Sequence, residues 1–178
     1  MKVTAENVAK MAERKLDENH ELRQYLKFQD RLSEEELDQL VSDIARKVWA
    51  RFDCADCGNC CKETHPGVTE ADAQRLARGL GLSVEEFRDR YLSLVADPDD
   101  LADTPWEMDR LPCPFLKDNR CVAYEHRPAE CRHYPYLDEP AFSYRTLGML
   151  ERSFTCPVVY LVLEELKAVL PFRPGRSR

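Results

Sequence analysis

The stretch CADCGNCCKETH, residues 54–65, places Cys54, Cys57, Cys60 and Cys61 within eight positions and follows them with His65. Gly58, Asn59, Pro66 and Gly67 forbid a long helix here and allow tight backbone turns. Thiols this dense serve as a disulfide knot, a metal nest or a nucleophile, and the rest of the chain decides among these. A chain of 178 residues is long enough to bury about two-thirds of its unfolded surface, so its 8 cysteines are not needed to rescue an undersized core.

The first twenty residues lack the apolar run of a secretory signal, and charges interrupt them throughout. The most apolar segment, CPVVYLVLEEL near the C-terminus, reaches two glutamates well short of the ~20 residues that span a bilayer. The expected setting is therefore cytoplasmic, with no membrane partner. In that reducing environment, paired thiols are metal ligands or redox groups more often than structural disulfides. The formal charge of −7 and the absence of a basic tract argue against nucleic acid as a partner.

Outward from the thiol loop, the chain is mainly helical. Residues 1–52 contain no Gly or Pro, and Val8, Met11, Leu16, Leu37, Val41, Ile44 and Val48 recur at helical spacing. They predict an N-terminal helical arm, its last helix starting at the capping box of Ser33 and Glu36. Residues 53–178 form the predicted cysteine-cluster domain, and the whole is expected to be one compact unit. Within it, Thr69 and the Ser83/Glu86 box start two short helices, with Gly79 and Gly81 ending the first. Leu76, Leu80, Phe87, Tyr91 and Leu94 form their expected core stripe.

The stretch PFLKDNRCVAY predicts a short β-hairpin turning at Asp118-Asn119, and RPAECRHYP a brief helical turn opening at Pro128. A last helix is expected from Thr155 and Pro157 to a stop at Pro171. The predicted fold is thus mainly α with a short β-hairpin, an irregular cysteine-rich core and a helical arm.

Two thiolates in C-x2-C reach one metal when the intervening loop turns its N–H groups toward the sulfurs. Cys54, Cys57 and Cys60 extend this to three, the repeat that ferredoxin-type loops offer a cubane. Tetrahedral zinc more often draws two ligands from each of two knuckles. Cys113 and Cys156 each precede Pro, as the remote ligand of such loops does. The spacing favours a [4Fe–4S] cluster, with Zn2+ as the alternative. Adjacent Cys60 and Cys61 diverge, so they can serve two sites; eight thiols satisfy two four-ligand centres or one with four to spare. His65, His126 and His133 are expected to lie outside the ligand set.

The motifs CADCGNCC, CPFLKDNRCVAYEHRPAECRHYP and FTCP together resemble the YkgJ-type CxxCxxCC cysteine-cluster family of zinc- or iron-chelating proteins, from about Phe52 to Cys156. The resemblance implies a cysteine metal centre with Cys54, Cys57, Cys60, Cys61, Cys113, Cys121, Cys131 and Cys156 as ligand candidates. It leaves the reaction open. A related branch, the flagellin lysine methylases, implies a metal-dependent protein modifier as one alternative to a structural or electron-transfer protein with a redox partner. Arg127 and Arg132 within the motif are expected to neutralise the thiolate charge by hydrogen-bonding the ligand sulfurs without binding the metal themselves, in competition with salt bridges to Glu125 or Glu130.

Overall fold

The computed structural model describes residues 2–95 and 105–175. The chain opens with α1 (Val8–Arg14), α2 (Leu16–Phe28), α3 (Glu34–Trp49) and the single turn α4 (Cys54–Cys57). After α5 (Cys60–Glu63) come β1 (Gly67–Val68), α6 (Glu70–Leu80), α7 (Val84–Tyr91) and β2 (Leu92–Leu94). Next follow β3 (Trp106–Met108), β4 (Leu116–Lys117), β5 (Arg120–Cys121), a 3-10 turn (Tyr124–His126) and α8 (Ala129–His133). The helices α9 (Phe142–Ser153) and α10 (Pro157–Val169) close the order. The protein is thus mostly helical with small antiparallel sheets. Among the described residues, no helix is long and apolar enough to cross a membrane.

The contacts divide the chain into two units: residues up to Cys57 together with those from Pro135 onward, and the inserted segment Gly58–Tyr134. The first unit is a helical bundle in which α3 and α9 both pack on α10. Ser33 Oγ accepts from the Glu36 N–H at 3.2 Å, while Glu36 accepts from the Ser33 N–H at 2.8 Å, so α3 begins where its capping box directs. From there Leu37, Val41, Ile44, Ala45 and Val48 form one buried face. Each such aliphatic side chain contributes about 1.5–3 kcal/mol on full burial.

Helix α9 has no side-chain cap of its own, and its N-cap Ala141 lies in the left-handed region at φ 61°. Its N-terminal amides are satisfied from α3 instead. Asp38 accepts the amides of Ala141 and Phe142 at 2.8 and 2.9 Å, and Glu34 accepts the Ser143 amide and hydroxyl at 2.8 and 2.7 Å. Carboxylates suit a helix N-terminus because its free N–H groups carry partial positive charge. Arg145 donates to the carbonyls of Tyr136, Pro140 and Glu139, fixing the turn that leads in.

One polar cluster interrupts the apolar interior of the bundle. Lys167, buried on α10, pairs with Glu164, with Glu18 at 3.0 Å and with Asn19 Oδ1 at 3.0 Å. Lys15 also donates to Glu18, at 2.7 Å.

The inserted unit is built on the helical hairpin α6–α7. Thr69 with Asp72 and Ser83 with Glu86 form capping boxes, and Gly81 supplies the left-handed residue between the helices at φ 70°. A three-stranded antiparallel sheet of order β1-β3-β2 lies beside them, pairing Val68 with Trp106 and Leu92 with Met108. Val68, Leu76, Phe87, Met108, Phe115 and Ala123 share the core. The rings of Phe87, Tyr91 and Phe115 meet at centroid distances of 4.9–6.1 Å. Leu94 departs from the predicted stripe: it ends an edge strand and is 73% exposed. The hairpin β4–β5 pairs Leu116 with Cys121 and turns at Asp118 and Asn119, φ 50° and 58°, the positive pair that a primed two-residue turn requires.

Burial pushes the Glu18 carboxyl upward, but hydrogen bonds from Lys15 and Lys167 outweigh this and leave its pKa below the ordinary 4.5. A lowered folded-state pKa stabilises above the unfolded value and loses that contribution as pH falls through the folded one. Urea midpoints should therefore drop as pH falls from 4.5, and Glu18→Gln should flatten that slope. Lys167→Ala, which leaves Glu18 and Glu164 with Lys15 as their cation and Asn19 Oδ1 without its donor, should cost about 1–3 kcal/mol in the same titration at neutral pH.

Candidate metal centre

Cys61, Cys113, Cys121 and Cys131 all lie in the inserted unit, each placed by a different short segment. Cys61 lies on α5, and its carbonyl accepts the Cys113 N–H at 2.7 Å, so backbone pins the two positions together. Cys113 opens the CPFL segment, which folds back through a Leu116 N–H to Cys113 carbonyl bond of 2.9 Å and drives Phe115 into the core. Cys121 follows on β5, opposite Leu116, and the Val122 N–H returns to the Phe115 carbonyl at 2.8 Å. Cys131 sits on α8.

The buried carboxylate of Asp72 holds α8 in place. It completes the capping box at the start of α6, pairs with Arg75 and accepts the Ala129 N–H at 3.2 Å where α8 begins. Glu130 reaches the Gly67 N–H on β1. The Arg75 guanidinium also donates to the Arg127 carbonyl at 3.0 Å. Sequence reasoning placed no site role on Asp72 or Arg75. The signal was present in Thr69-x2-Asp72, a capping box whose acid can serve a second helix.

The four thiols interact as one electrostatic set. Cys113 feels Cys61 and Cys121, Cys121 feels Cys61, and Cys131 feels all three, so every pair among them is coupled. Burial first, and then these neighbours, push Cys113 up to about 11 and Cys131 up to about 12. Cys121 rises for the same reasons, and Cys61 rises through its hydrogen bond with Cys60 and then through burial. Backbone amides oppose the rise: those of Phe115 and Leu116 favour the Cys113 thiolate, and that of Ala123 favours Cys121. Amides directed at sulfur are the loop geometry that thiolate metal sites use.

Lys62 acts on Cys61 alone, whereas Arg127 acts on two members of this set. Arg127 lowers both Cys61 and Cys121, stacks 3.6 Å over the Tyr124 ring and donates to the Tyr124 carbonyl at 3.4 Å. Arg132 is exposed and turns to backbone, donating to the carbonyls of Arg127 at 3.0 Å and Glu125 at 3.4 Å. It closes the turn that carries Cys131.

The other cysteines are placed differently. Cys60 bonds to Cys61 through its side chain, and its carbonyl accepts the Thr64 N–H and hydroxyl at 3.0 and 2.7 Å. Cys54 and Cys57 bracket α4, and Cys156 is the N-cap of α10; all three belong to the helical bundle. Cys60, Cys61, Cys113, Cys121, Cys131 and Cys156 form no disulfide. Among the described residues, no three His, Cys, Asp or Glu side chains stand close enough to enclose a single ion. The donor chemistry nevertheless fits a soft metal, since sulfur is the donor at all four positions and the amides of Phe115, Leu116 and Ala123, with Arg127, favour the thiolate form that such a metal needs.

The histidines have other work. His65 Nδ1 lies 2.6 Å from the Met108 carbonyl, which accepts its proton, so the ring braces β3. His126 packs against α6 where Gly79 has no side chain; a Cβ at Gly79 would lie 2.1 Å from the imidazole. The displaced ring belongs to the 3-10 turn between Cys121 and Cys131. Gly79→Ala should therefore destabilise the protein by about 1–3 kcal/mol and weaken metal retention. Adding His126→Ala should restore both, as read by denaturant titration and metal analysis of the single and double variants.

No curated protein and no solved structure matches the chain. The family pattern of the CxxCxxCC proteins, described as a "putative zinc- or iron-chelating domain", matches residues 53–156, which hold all eight cysteines. With more than half of its length matched, the chain belongs to the CxxCxxCC family of metal-chelating proteins.

Proposed function

We propose that Cys61, Cys113, Cys121 and Cys131 are the ligands of one metal centre and that its occupant is a [4Fe–4S] cluster serving electron transfer or structure. The observation that carries this reading is that the 2.7 Å bond from the Cys113 N–H to the Cys61 carbonyl, the β4–β5 hairpin and α8 hold all four thiols in one unit, where each affects the ionisation of the others. Their donors are sulfur alone, without imidazole or carboxylate, which suits iron–sulfur chemistry or zinc and disfavours harder cations. The nearest two in sequence, Cys113 and Cys121, are eight positions apart. The set therefore lacks the paired C-x2-C knuckles from which structural zinc sites usually draw their ligands. When bound, the cluster supplies one-electron redox capacity.

The chain's own residues supply the setting. Amides of Phe115, Leu116 and Ala123 stabilise thiolate charge, and Arg127 offsets part of the net negative charge that four thiolates confer. Phe115 and Tyr91 shield the apolar side of the Cys113 segment. A reducing cytoplasm, which keeps these thiols available, and a redox protein partner accompany this reading. Zinc held by the same four thiols is the second reading, favoured by the amide contacts at Cys113 and Cys121, which zinc loops share.

Protein purified without oxygen should be brown and carry iron with acid-labile sulfide, and Cys113→Ser and Cys131→Ser should each lose both. A colourless protein holding zinc and no sulfide would establish the second reading. Retention of full metal by both variants would dismiss the four-thiol set. Arg127→Gln should keep the cluster and lower its reduction potential, because removing a positive charge disfavours the added electron; voltammetry of the wild type and variant checks this.

A further inference from the structure

The surface of the inserted unit beside Cys121 combines exposed apolar side chains with a run of cations. Along β5 and beyond it, Arg120, Val122 and Tyr124 are exposed, while Cys121 is half-buried and Ala123 buried, so the three outward residues line one ridge. Val122 is 60% exposed and Tyr124 57%. Arg127 stacks on the Tyr124 ring at 3.6 Å, and Arg132 donates to the Arg127 carbonyl at 3.0 Å, which carries the ridge on to α8. At its other end, Lys117 is the register partner of Arg120 across the hairpin.

Like charges directly opposite each other destabilise a strand pair, yet Lys117 and Arg120 hold that arrangement in β4–β5. Elsewhere in the unit Arg75, Arg88, Arg90 and Arg110 each have a carboxylate partner. Among the described residues, Lys117, Arg120, Arg127 and Arg132 have none, and Arg127 and Arg132 donate to backbone carbonyls instead. Of the acids in this stretch, Asp118 occupies the left-handed hairpin turn and Glu130 accepts the Gly67 N–H. Four unpaired cations thus stand together on a chain whose formal net charge is −7. An anionic group from outside would relieve a repulsion that the hairpin otherwise bears alone.

We propose that this face docks an acidic segment of a redox partner protein, with Val122 and Tyr124 as its apolar centre and Lys117, Arg120, Arg127 and Arg132 as its cationic rim. The docking rests on the four-thiol reading and gives the partner in that reading its chemistry. An apolar centre within a polar rim is the usual build of a protein interface, and Tyr and Arg are among the side chains that most often anchor one. Opposite charges steer the encounter, so an acidic partner is drawn to this face although the chain as a whole would repel it. Cys121 lies between Arg120 and Val122 in the chain, so docking here brings the partner beside a proposed ligand sulfur.

The probe is a labelled glutamate-rich peptide, titrated at low salt into the full chain purified without oxygen and followed by fluorescence anisotropy. It should bind, and added salt should release it. Arg120→Glu, which puts opposite charges across the hairpin, should weaken binding about tenfold while raising the urea midpoint. A purely structural role for Arg120 would not move these two readouts in opposite directions. Val122→Ser should also weaken binding, whereas Lys47→Glu, the same charge change at an exposed position on α3, should leave it as it was. No binding of the acidic peptide, equal affinity of wild type and Arg120→Glu, or equally tight binding of a lysine-rich peptide would overturn the docking face. Tighter binding of a single-stranded DNA oligomer would overturn a protein as its occupant. Failure of the four-thiol reading shows itself separately, as full iron in the Cys113→Ser and Cys131→Ser variants, a result on which the peptide titration does not depend.

Discussion

Four thiols in one unit repel one another once two or more of them ionise, and the inserted unit has to hold them against that constraint. Its strands are two or three residues long and α8 has five residues, so none of these elements is stable by itself. What orders them is anchoring from outside the cluster. Phe115 fastens the Cys113 segment into the aromatic core, Asp72 fastens the start of α8 to α6, and the empty side of Gly79 lets His126 seat the turn between Cys121 and Cys131. On the proposed reading a shared cation would remove the remaining repulsion, and its binding free energy would add to the free energy of folding wherever only the folded chain offers the site.

Local chemistry made much of this legible in advance. The capping boxes at Ser33 and Ser83, the left-handed Gly81, the Asp118-Asn119 hairpin and the Pro157 start of the last helix all stand where their residue types require. These features depend on neighbours within a few positions. Helix α9 was not anticipated because its cap is remote: Asp38 and Glu34 belong to a helix about a hundred residues earlier, and Ala141 carries no signal of its own. The three-stranded sheet escaped for the same reason, since its strands show no resolvable alternation and gain their identity from pairing.

Reading the chain as metal-chelating needed only the number of thiols and their motif, and the family membership agrees. Their partition was beyond reach of spacing. The run from Cys54 to Cys61 looks like one nest, yet Cys54 and Cys57 belong with Cys156 to the bundle, whereas Cys61 belongs with Cys113, Cys121 and Cys131 to the insertion. The boundary between the units falls after Cys57, in the middle of the motif. Proximity in sequence is a poor guide when a chain turns at a residue such as Gly58, whose φ of 56° redirects it sharply. Arg127 and Arg132 teach a similar lesson: in one motif, the first stacks on Tyr124 and favours the Cys61 and Cys121 thiolates, while the second holds the carbonyls of Arg127 and Glu125.

An insertion interrupts the bundle, so the order of synthesis matters to it. Helices α1 to α3 leave the ribosome with Leu37, Val41, Ile44 and Val48 ready to be covered, but their cover, α9 and α10, is encoded beyond residue 141. At ordinary translation rates the wait is roughly 5–25 s. During that interval the contiguous segment 58–134 can complete its own contacts and gather its four thiols. The nascent bundle helices meanwhile expose an apolar face that chaperones recognise, so the protein's demand on the cell's folding machinery falls on its first fifty residues.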